Sequence, residues 1–266
     1  MSAVGDLTVL SNAKTWLNLG QAVTPADGQL ALLISAASSF IKNFISKDVL
    51  PKTFTEVYNG YGKTLLPLQH LPVISVTSLY LEASNATLIP PSVNGLAGYL
   101  LENNQAIRLI GYVFPKAFQN ITVTYVAGYS TMNEEQVIPA TPYTIDGLTV
   151  LGNLWRSDLG VLDAITLLPL TKVASAPVTG EYSVSVAGTY TFAAADTGKA
   201  VLISYGMVPR DLEQCVIELV GERYRTRTRI GESSKGLAGE TTSYSQKDMN
   251  NTIKLILEQY ATRQVI

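Results

Sequence analysis

A chain of 266 residues has room for one large domain or two of ordinary size. Only 15% of its residues are charged, against roughly 25% in a typical soluble domain, while 47% are hydrophobic. A net charge of −2 argues against a dedicated nucleic-acid binder, whose affinity rests on many Lys and Arg contacts to phosphate, but not against a channel wall past which DNA slides. No run approaches the roughly 20 apolar residues that span a bilayer, and the opening MSAVGDLTVLSNAK lacks the basic start and apolar core of a secretory signal, so no membrane partner is expected. The low charge then reads in two ways: an obligate oligomer whose surface other protein covers, or a monomer with a Ser/Thr/Asn-rich exterior. The single cysteine, Cys215, permits no intrachain disulfide and reads as a small buried hydrophobe in a reducing compartment.

The chain opens with helices. Thr8 or Ser11 is placed to cap a short helix through Trp16 and Leu17, stopped by Gly20. Thr24-Pro25-Ala26-Asp27 supplies a capping residue, a first-turn proline and an acid three positions on. Leu30, Leu33, Ile34, Ala37, Phe40, Ile41 and Phe44 follow as a wide helical stripe. From Phe54 the period drops to two. FTEVY and TLLPL flank Asn59-Gly60, which predicts a hairpin turn. Val73–Leu81 and Ile121–Val126 read as half-buried strands, with shorter ones near Tyr99 and Ile107, and helices over one side of a small antiparallel sheet give an α+β arrangement.

After Ala127-Gly128-Tyr129 the helical period vanishes until Met207. Short strands alternate with turns, at Ala187-Gly188 between YSVSV and TYTF and at Asp196-Thr197-Gly198 before KAVLISY. The spacing predicts a compact all-β barrel or sandwich over 130–207, inserted at a surface loop of a parent domain formed by 1–129 and 208–266. From Pro209 an amphipathic helix resumes, with Asp211 and Glu213 in its first turn, Arg223 and Arg225 in its last, Leu212, Val216, Leu219 and Tyr224 at helical spacing, and Gly231 as a stop. A polar Ser/Thr/Gly strap follows. A last helix is predicted from Ser245, with Asp248 completing a capping box, burying Met249, Ile253, Ile256, Leu257 and Tyr260.

Tests for chemistry come back empty. Gly62-Lys63-Thr64 imitates the end of a phosphate-binding loop, but Val57 stands where its first glycine belongs, and Pro67 and Pro72 forbid the following helix. His70 is the only histidine and reads as a hydrogen-bonded residue at a strand start, since without a cysteine cluster it makes no zinc site. Asp158 with Asp163, and Glu134 with Glu135, read as solvated carboxylates in turns and loops. No catalytic residue, metal ligand or cofactor is therefore expected. Arg223, Arg225, Arg227 and Arg229 leave three readings open: a solvated helix end, salt bridges to an acidic partner subunit, or contacts to DNA phosphate. An extended backbone beyond Tyr224 would align Arg225, Arg227 and Arg229 on one side.

LPVISVTSLYL, then ITVTYVAGY, then VPRDLEQCVIELVGERYRTRTRIGESSKGLAGETTSYSQKDM resemble the head–tail connector proteins of tailed double-stranded DNA bacteriophages, as do the AKTWL-like first helix and the Ala-rich second. The likeness covers residues 5–129 and 208–260. In that family AGY and VPxDLxQ stand a few residues apart; here about eighty intervene, and the stretch APVTGEYSVSVAGTYTFAAADTGKAVLISY is similar to small β-modules appended to virion proteins. The resemblance implies a mainly α-helical connector domain with a small antiparallel sheet, and a structural, non-enzymatic role in the virion neck after assembly in the host cytoplasm. There a homo-oligomeric ring, dodecameric in the family, docks beneath the portal protein, extends the DNA channel without reading sequence, and receives stopper or tail proteins. It places Arg223, Arg225, Arg227, Arg229, Lys235, Tyr244, Met249 and Tyr260 at subunit or portal contacts. A second expectation makes the β-module a reader of host glycan or receptor through Tyr143, Trp155, Tyr182, Tyr190 and Phe192.

Overall fold

The computed structural model describes residues 5–22, 24–81, 87–227, 234–237, 240–243 and 249–261. It divides into two compact units, residues 1–46 with 209–264, and residues 47–208.

The first unit is helical, built from α1 (Leu10–Trp16), α2 (Asp27–Ile45), α3 (Arg210–Thr226) and α4 (Asn251–Ala261), with an antiparallel strand pair at Ser234–Leu237 and Glu240–Ser243. In α2 the buried positions are Leu30, Ile34, Ala37, Ser38, Ile41 and Ile45, a stripe at steps of three and four that packs against α3 and α4. That helix is long and apolar enough by composition to cross a membrane; here its stripe is the core of the helical unit. Its start departs from the expected cap at Thr24: the helix begins at Asp27, Ala26 holds the cap position with no side-chain cap, and the Thr24 hydroxyl bonds the Asp27 carboxylate at 2.7 Å. The start of α1 departs too: Val9 holds the cap position with no side-chain cap. Thr8 donates instead to the buried carboxylate of Glu213 (3.1 Å), which also accepts from Asn12 (2.6 Å), because a charge inside a core needs donors more than a short helix needs a cap. In α3, Leu212, Cys215, Val216, Leu219 and Val220 are buried, and the helix ends at Thr226. Gly231, Ser245 and Asp248, expected to stop one helix and start the next, lie outside the described residues.

The second unit is made of strands: β1 (Lys52–Gly60), β2 (Leu65–Pro67), β3 (Val73–Leu81), β4 (Thr87–Leu88), β5 (Gly98–Glu102), β6 (Ala106–Ile110), β7 (Ala117–Ala127), β8 (Ser130–Val137), β9 (Thr144–Asp146), β10 (Leu154–Asp163), β11 (Thr171–Lys172), β12 (Glu181–Val184), β13 (Thr189–Phe192) and β14 (Ala200–Val208). It carries two cores. Sheets β1-β7-β3-β4 and β2-β6-β5 enclose Leu66, Val73, Leu79, Ile107, Phe114, Ile121, Val123 and Tyr125. Sheets β10-β14-β8 and β11-β12-β13-β9 enclose Ile138, Ile145, Trp155, Val161, Tyr182, Tyr190, Phe192, Ile203 and Tyr205.

With sixteen strands and four α-helices among the described residues, the chain is mainly β. The expected mainly α-helical connector domain is corrected by this count. Among their described positions, residues 47–129, assigned to that domain, hold seven strands and no helix, because β7 acts as a central strand that recruits β1 and β3 from sixty and forty residues away.

The Asn59-Gly60 hairpin is also corrected. β1 pairs with β7, not with β2, and Gly60 lies opposite Ala117 at a register shift. Its glycine is there for room: a Cβ would sit 1.7 Å from the Pro115 carbonyl oxygen and 3.0 Å from Asn120, whose side-chain oxygen accepts the Gly60 N–H. Gly60→Ala is expected to destabilise the strand unit by about 3 kcal/mol, the upper end of overpacking costs because the obstacle is backbone. An unchanged urea midpoint would refute this close approach.

Candidate functional site

Where β1 ends and β7 begins, an open groove of about 620 Å³ is lined by Val57, Tyr58, Tyr61, Leu65, Phe114 and Phe118, with Lys63, Gln69 and Gln119 among its polar members. Phe118 is 77% exposed, Tyr61 68% and Val57 54%, so half the apolar lining faces solvent rather than the core. Polar bonds hold the groove floor: Asn59 accepts the Gln119 N–H (2.8 Å), and Asn120 donates to the Pro115 carbonyl (2.8 Å).

Behind this floor lies a carboxylate network. Phe54, Glu56 and Tyr58 alternate onto one face of β1, and Tyr125 stands opposite Phe54 on β7. The Glu56 carboxylate accepts the Tyr125 hydroxyl (2.6 Å) and the Tyr58 hydroxyl, and His70 Nε2 lies 3.4 Å away. The His70 ring stacks on Phe54 with centroids 3.7 Å apart. Each phenol also accepts a backbone N–H, Tyr58 from Gln69 and Tyr125 from His70, both at 3.1 Å. Burial first, then the adjoining Glu56 carboxylate, pushes both phenols up, Tyr125 to about 12. Every hydroxyl is engaged as donor and acceptor, so the network braces the strand pair.

Two more carboxylates repeat the arrangement in the second core. Asp158 is nearly enclosed, its side chain 6% exposed, and accepts Tyr182 (3.0 Å), Tyr190 (3.2 Å) and Lys172 (2.8 Å). Glu134 accepts the Tyr205 hydroxyl (2.6 Å) and the Gly152 N–H (3.0 Å). The solvated reading of these residues is thereby corrected: a phenol buried for its ring needs an acceptor, and the carboxylates supply it. Asp163 does sit at a turn and Glu135 is exposed, so neither sequence pair converges. The rings expected to read glycan are mostly core: Trp155, Tyr182, Tyr190 and Phe192 are buried, and Trp155 Nε1 donates to Tyr190 (2.9 Å).

The expected contact residues scatter. Because α3 stays helical through Thr226, Arg225 and Arg227 point about 200° apart and are not aligned on one side. Arg223 lies over the Phe40 ring at 5.6 Å, Arg225 is exposed, and Arg227 folds back over the Tyr224 ring at 3.7 Å and donates to its carbonyl. Met249 is half-buried before α4. Tyr260 is buried and donates to the Asp211 carboxylate, whose two oxygens stand 2.6 and 2.7 Å away. Lys235 falls in the strand Ser234–Leu237, and Arg229 and Tyr244 lie outside the described residues. Cys215 is buried, and burial pushes its thiol up to about 12. Among the described residues no group of three or more His, Cys, Asp or Glu is placed to hold a metal ion. The sequence reading missed the groove and Glu56, for which the signal was the Phe-Glu-Tyr alternation of β1 itself.

No family model and no curated protein matches this chain. Among solved structures it is similar to a chain from the neck of an empty gene transfer agent particle computed with C6 symmetry, at 16% identity and a TM-score of 0.46. It is also similar to a chain from the virion of a native gene transfer agent particle (14%, 0.45), and to one from the neck of a native particle computed with C12 symmetry (14%, 0.43). Each alignment covers 100% of this chain and 95% of the other.

Proposed function

We propose that this chain is a structural protein of a virion neck, a head-to-tail adaptor that forms a homo-oligomeric ring beneath the portal, extends the DNA channel and receives the stopper or tail. The reading rests on the ordered sequence motifs, and one observation carries it. AGY ends at Tyr129 and VPRDLEQ begins at Val208, with about eighty residues between them. In the fold the Met207 N–H donates to the Tyr129 carbonyl at 3.0 Å, and the Tyr129 N–H to Val49 at 2.8 Å. The intervening strands therefore leave and return through one seam, as an insertion in a connector would. Residues 130–207 are accordingly assigned as an added module with its own core.

Arg225 and Arg227 at the end of α3 are assigned to contacts with an acidic neighbour, the portal or another subunit, with Arg229, Lys235, Tyr244 and Met249 in the same region of the sequence. DNA passes such a ring without base-specific contact, in keeping with the slightly negative net charge. Electron micrographs of the purified chain mixed with its portal are expected to average to rings. A chain that stays monomeric with portal and is missing from purified particles would end this reading.

A further inference from the structure

The pair Asn-Gly occurs twice in this chain, at Asn59-Gly60 and at Asn94-Gly95, and the fold puts the two in opposite situations. We infer that Asn94 is a site of spontaneous covalent modification, where the folded chain converts its own asparagine to isoaspartate and aspartate, and that the fold protects Asn59 from the same reaction.

The chemistry needs only the pair and water. The Gly95 backbone nitrogen gives up its proton and attacks Asn94 Cγ. The N–Cγ bond forms, the Cγ–Nδ2 bond breaks, and the side-chain nitrogen leaves as ammonia with the proton that Gly95 released. Water then opens the five-membered succinimide. Cleavage of the N–Cγ bond gives aspartate; cleavage of the main-chain N–C bond gives isoaspartate, with the backbone rerouted through the side chain. One water is consumed and one ammonia released, with no change of oxidation state. Glycine favours the attack because it has no Cβ in the way and reaches backbone angles closed to other residues.

Geometry decides which pair reacts. Asn94 (φ 52°) and Gly95 (φ 76°) are the central residues of a turn in which Leu96 N–H donates to the Val93 carbonyl at 3.0 Å, and two positive φ values in succession mark type I′. Both residues are exposed, as are Val93 (61%) and Leu96 (69%) on either side. A Cβ on residue 95 would meet no atom within 4 Å, so the attacking nitrogen has room to swing. Among the described residues no hydrogen bond restrains the Asn94 side chain or the Gly95 N–H. The turn is held by the Leu96 bond and by the Ser92 hydroxyl donating to the Leu96 carbonyl (2.5 Å). Releasing two such surface bonds slows the attack by about thirtyfold.

Asn59 is fixed on every side. Its side-chain oxygen accepts the Gln119 N–H, and the Gly60 N–H that would have to attack donates to Asn120, both at 2.8 Å. Gly60 is buried, with the Pro115 carbonyl against its Cα. The pair lies within β1, between the register partners Tyr58–Ile121 and Gly60–Ala117. Attack there requires the β1–β7 ladder to open first, which lies at the costly end of local unfolding. Conversion at Asn94 instead adds a negative charge to a chain of net charge −2, in a run, residues 87–101, that otherwise has no charged residue.

The test incubates the purified full chain in warm neutral buffer, folded and in urea, and follows the peptides holding residues 59 and 94 by mass spectrometry. In the folded chain Asn94 should convert at least tenfold faster than Asn59, with isoaspartate among the products, and within about thirtyfold of its own rate in urea. In urea the two pairs should react at similar rates. Gly95→Ala, whose methyl crowds the attacking nitrogen, should slow conversion at Asn94 and leave Asn59 unchanged. Asn59 reacting as fast as Asn94 in the folded chain, or Asn94 staying intact while the urea-unfolded chain converts, overturns the assignment. The same rate ratio in urea as in the folded chain also overturns it, since flanking residues rather than the fold would then set the difference.

Discussion

Taken from about pH 9 to about pH 12, the protein should lose stability steeply, and its buried tyrosines should set the slope. Tyr58, Tyr125, Tyr182, Tyr190 and Tyr205 are all held above their ordinary value, first by burial; the carboxylate each one faces, Glu56, Asp158 or Glu134, adds to the shift. A raised folded-state value means that the native protein keeps a proton which the unfolded chain releases above about pH 10. The stabilisation is therefore complete below that point and disappears as pH climbs toward the folded values, about 12 for Tyr125. Each such tyrosine removes about 1.4 kcal/mol per pH unit, so even two acting independently remove about 3. A domain of ordinary stability, 5–15 kcal/mol, tolerates only a few units of that. Cys215 acts with the same sign from about pH 9 upward, until its folded value of about 12 is passed. Urea midpoints across this range, with tyrosinate absorbance followed in parallel, should fall together, and Tyr190→Phe should flatten the slope by one tyrosine's share. Constant stability between about pH 10 and pH 12 would contradict the buried phenol–carboxylate arrangement.

What could be read from the residues was local. Leu30, Ile34, Ala37 and Ile41 announce α2 by spacing, Val73–Leu81 announces β3 by alternation, and Ala187-Gly188 marks the β12–β13 turn, because each signal is complete within a dozen residues. Asn59-Gly60 misled because a turn-forming pair and a glycine needed for close approach look the same in sequence. The deciding atoms, the Pro115 carbonyl and the Asn120 side chain, arrive from about sixty residues away. The weight of the β half was underestimated for another reason: FTEVY, Val73–Leu81 and Ile121–Val126 read as strands from their own residues, while the mainly α-helical expectation came with the resemblance and not from them.

The polar interior was half legible. In YSVSV and TYTF the rings alternate with Ser and Thr, and Tyr182, Tyr190 and Phe192 are buried in the second core. What was not drawn from it is that a buried phenol requires an acceptor, and that a core with two stacked tyrosines 6.0 Å apart therefore calls for a carboxylate or carbonyl among its strands. In β10, LWRSDLGVLD, that requirement leaves two candidates, Asp158 and Asp163, and the fold gives both rings to Asp158.

Asp158→Ala is accordingly expected to cost the strand unit about 3–5 kcal/mol, the range for removing one member of a buried, hydrogen-bonded charge network. The substitution strands two phenol hydroxyls and leaves Trp155 Nε1 bonded to a Tyr190 that has lost its own acceptor. Asp158→Asn keeps an acceptor oxygen and should cost less than half as much. Lys172→Ala should cost under about 1 kcal/mol, since Lys172 is half-exposed and its ion pair is solvated on one side. The order Ala, then Asn, then the lysine variant distinguishes a carboxylate that satisfies buried phenols from one kept for its ion pair, which would rank the lysine variant with Asp158→Ala. Urea unfolding followed by near-ultraviolet circular dichroism, which reports these rings directly, measures all three. A loss below about 1 kcal/mol for Asp158→Ala would mean that water reaches the two hydroxyls, and the second core would then be open where the structure closes it.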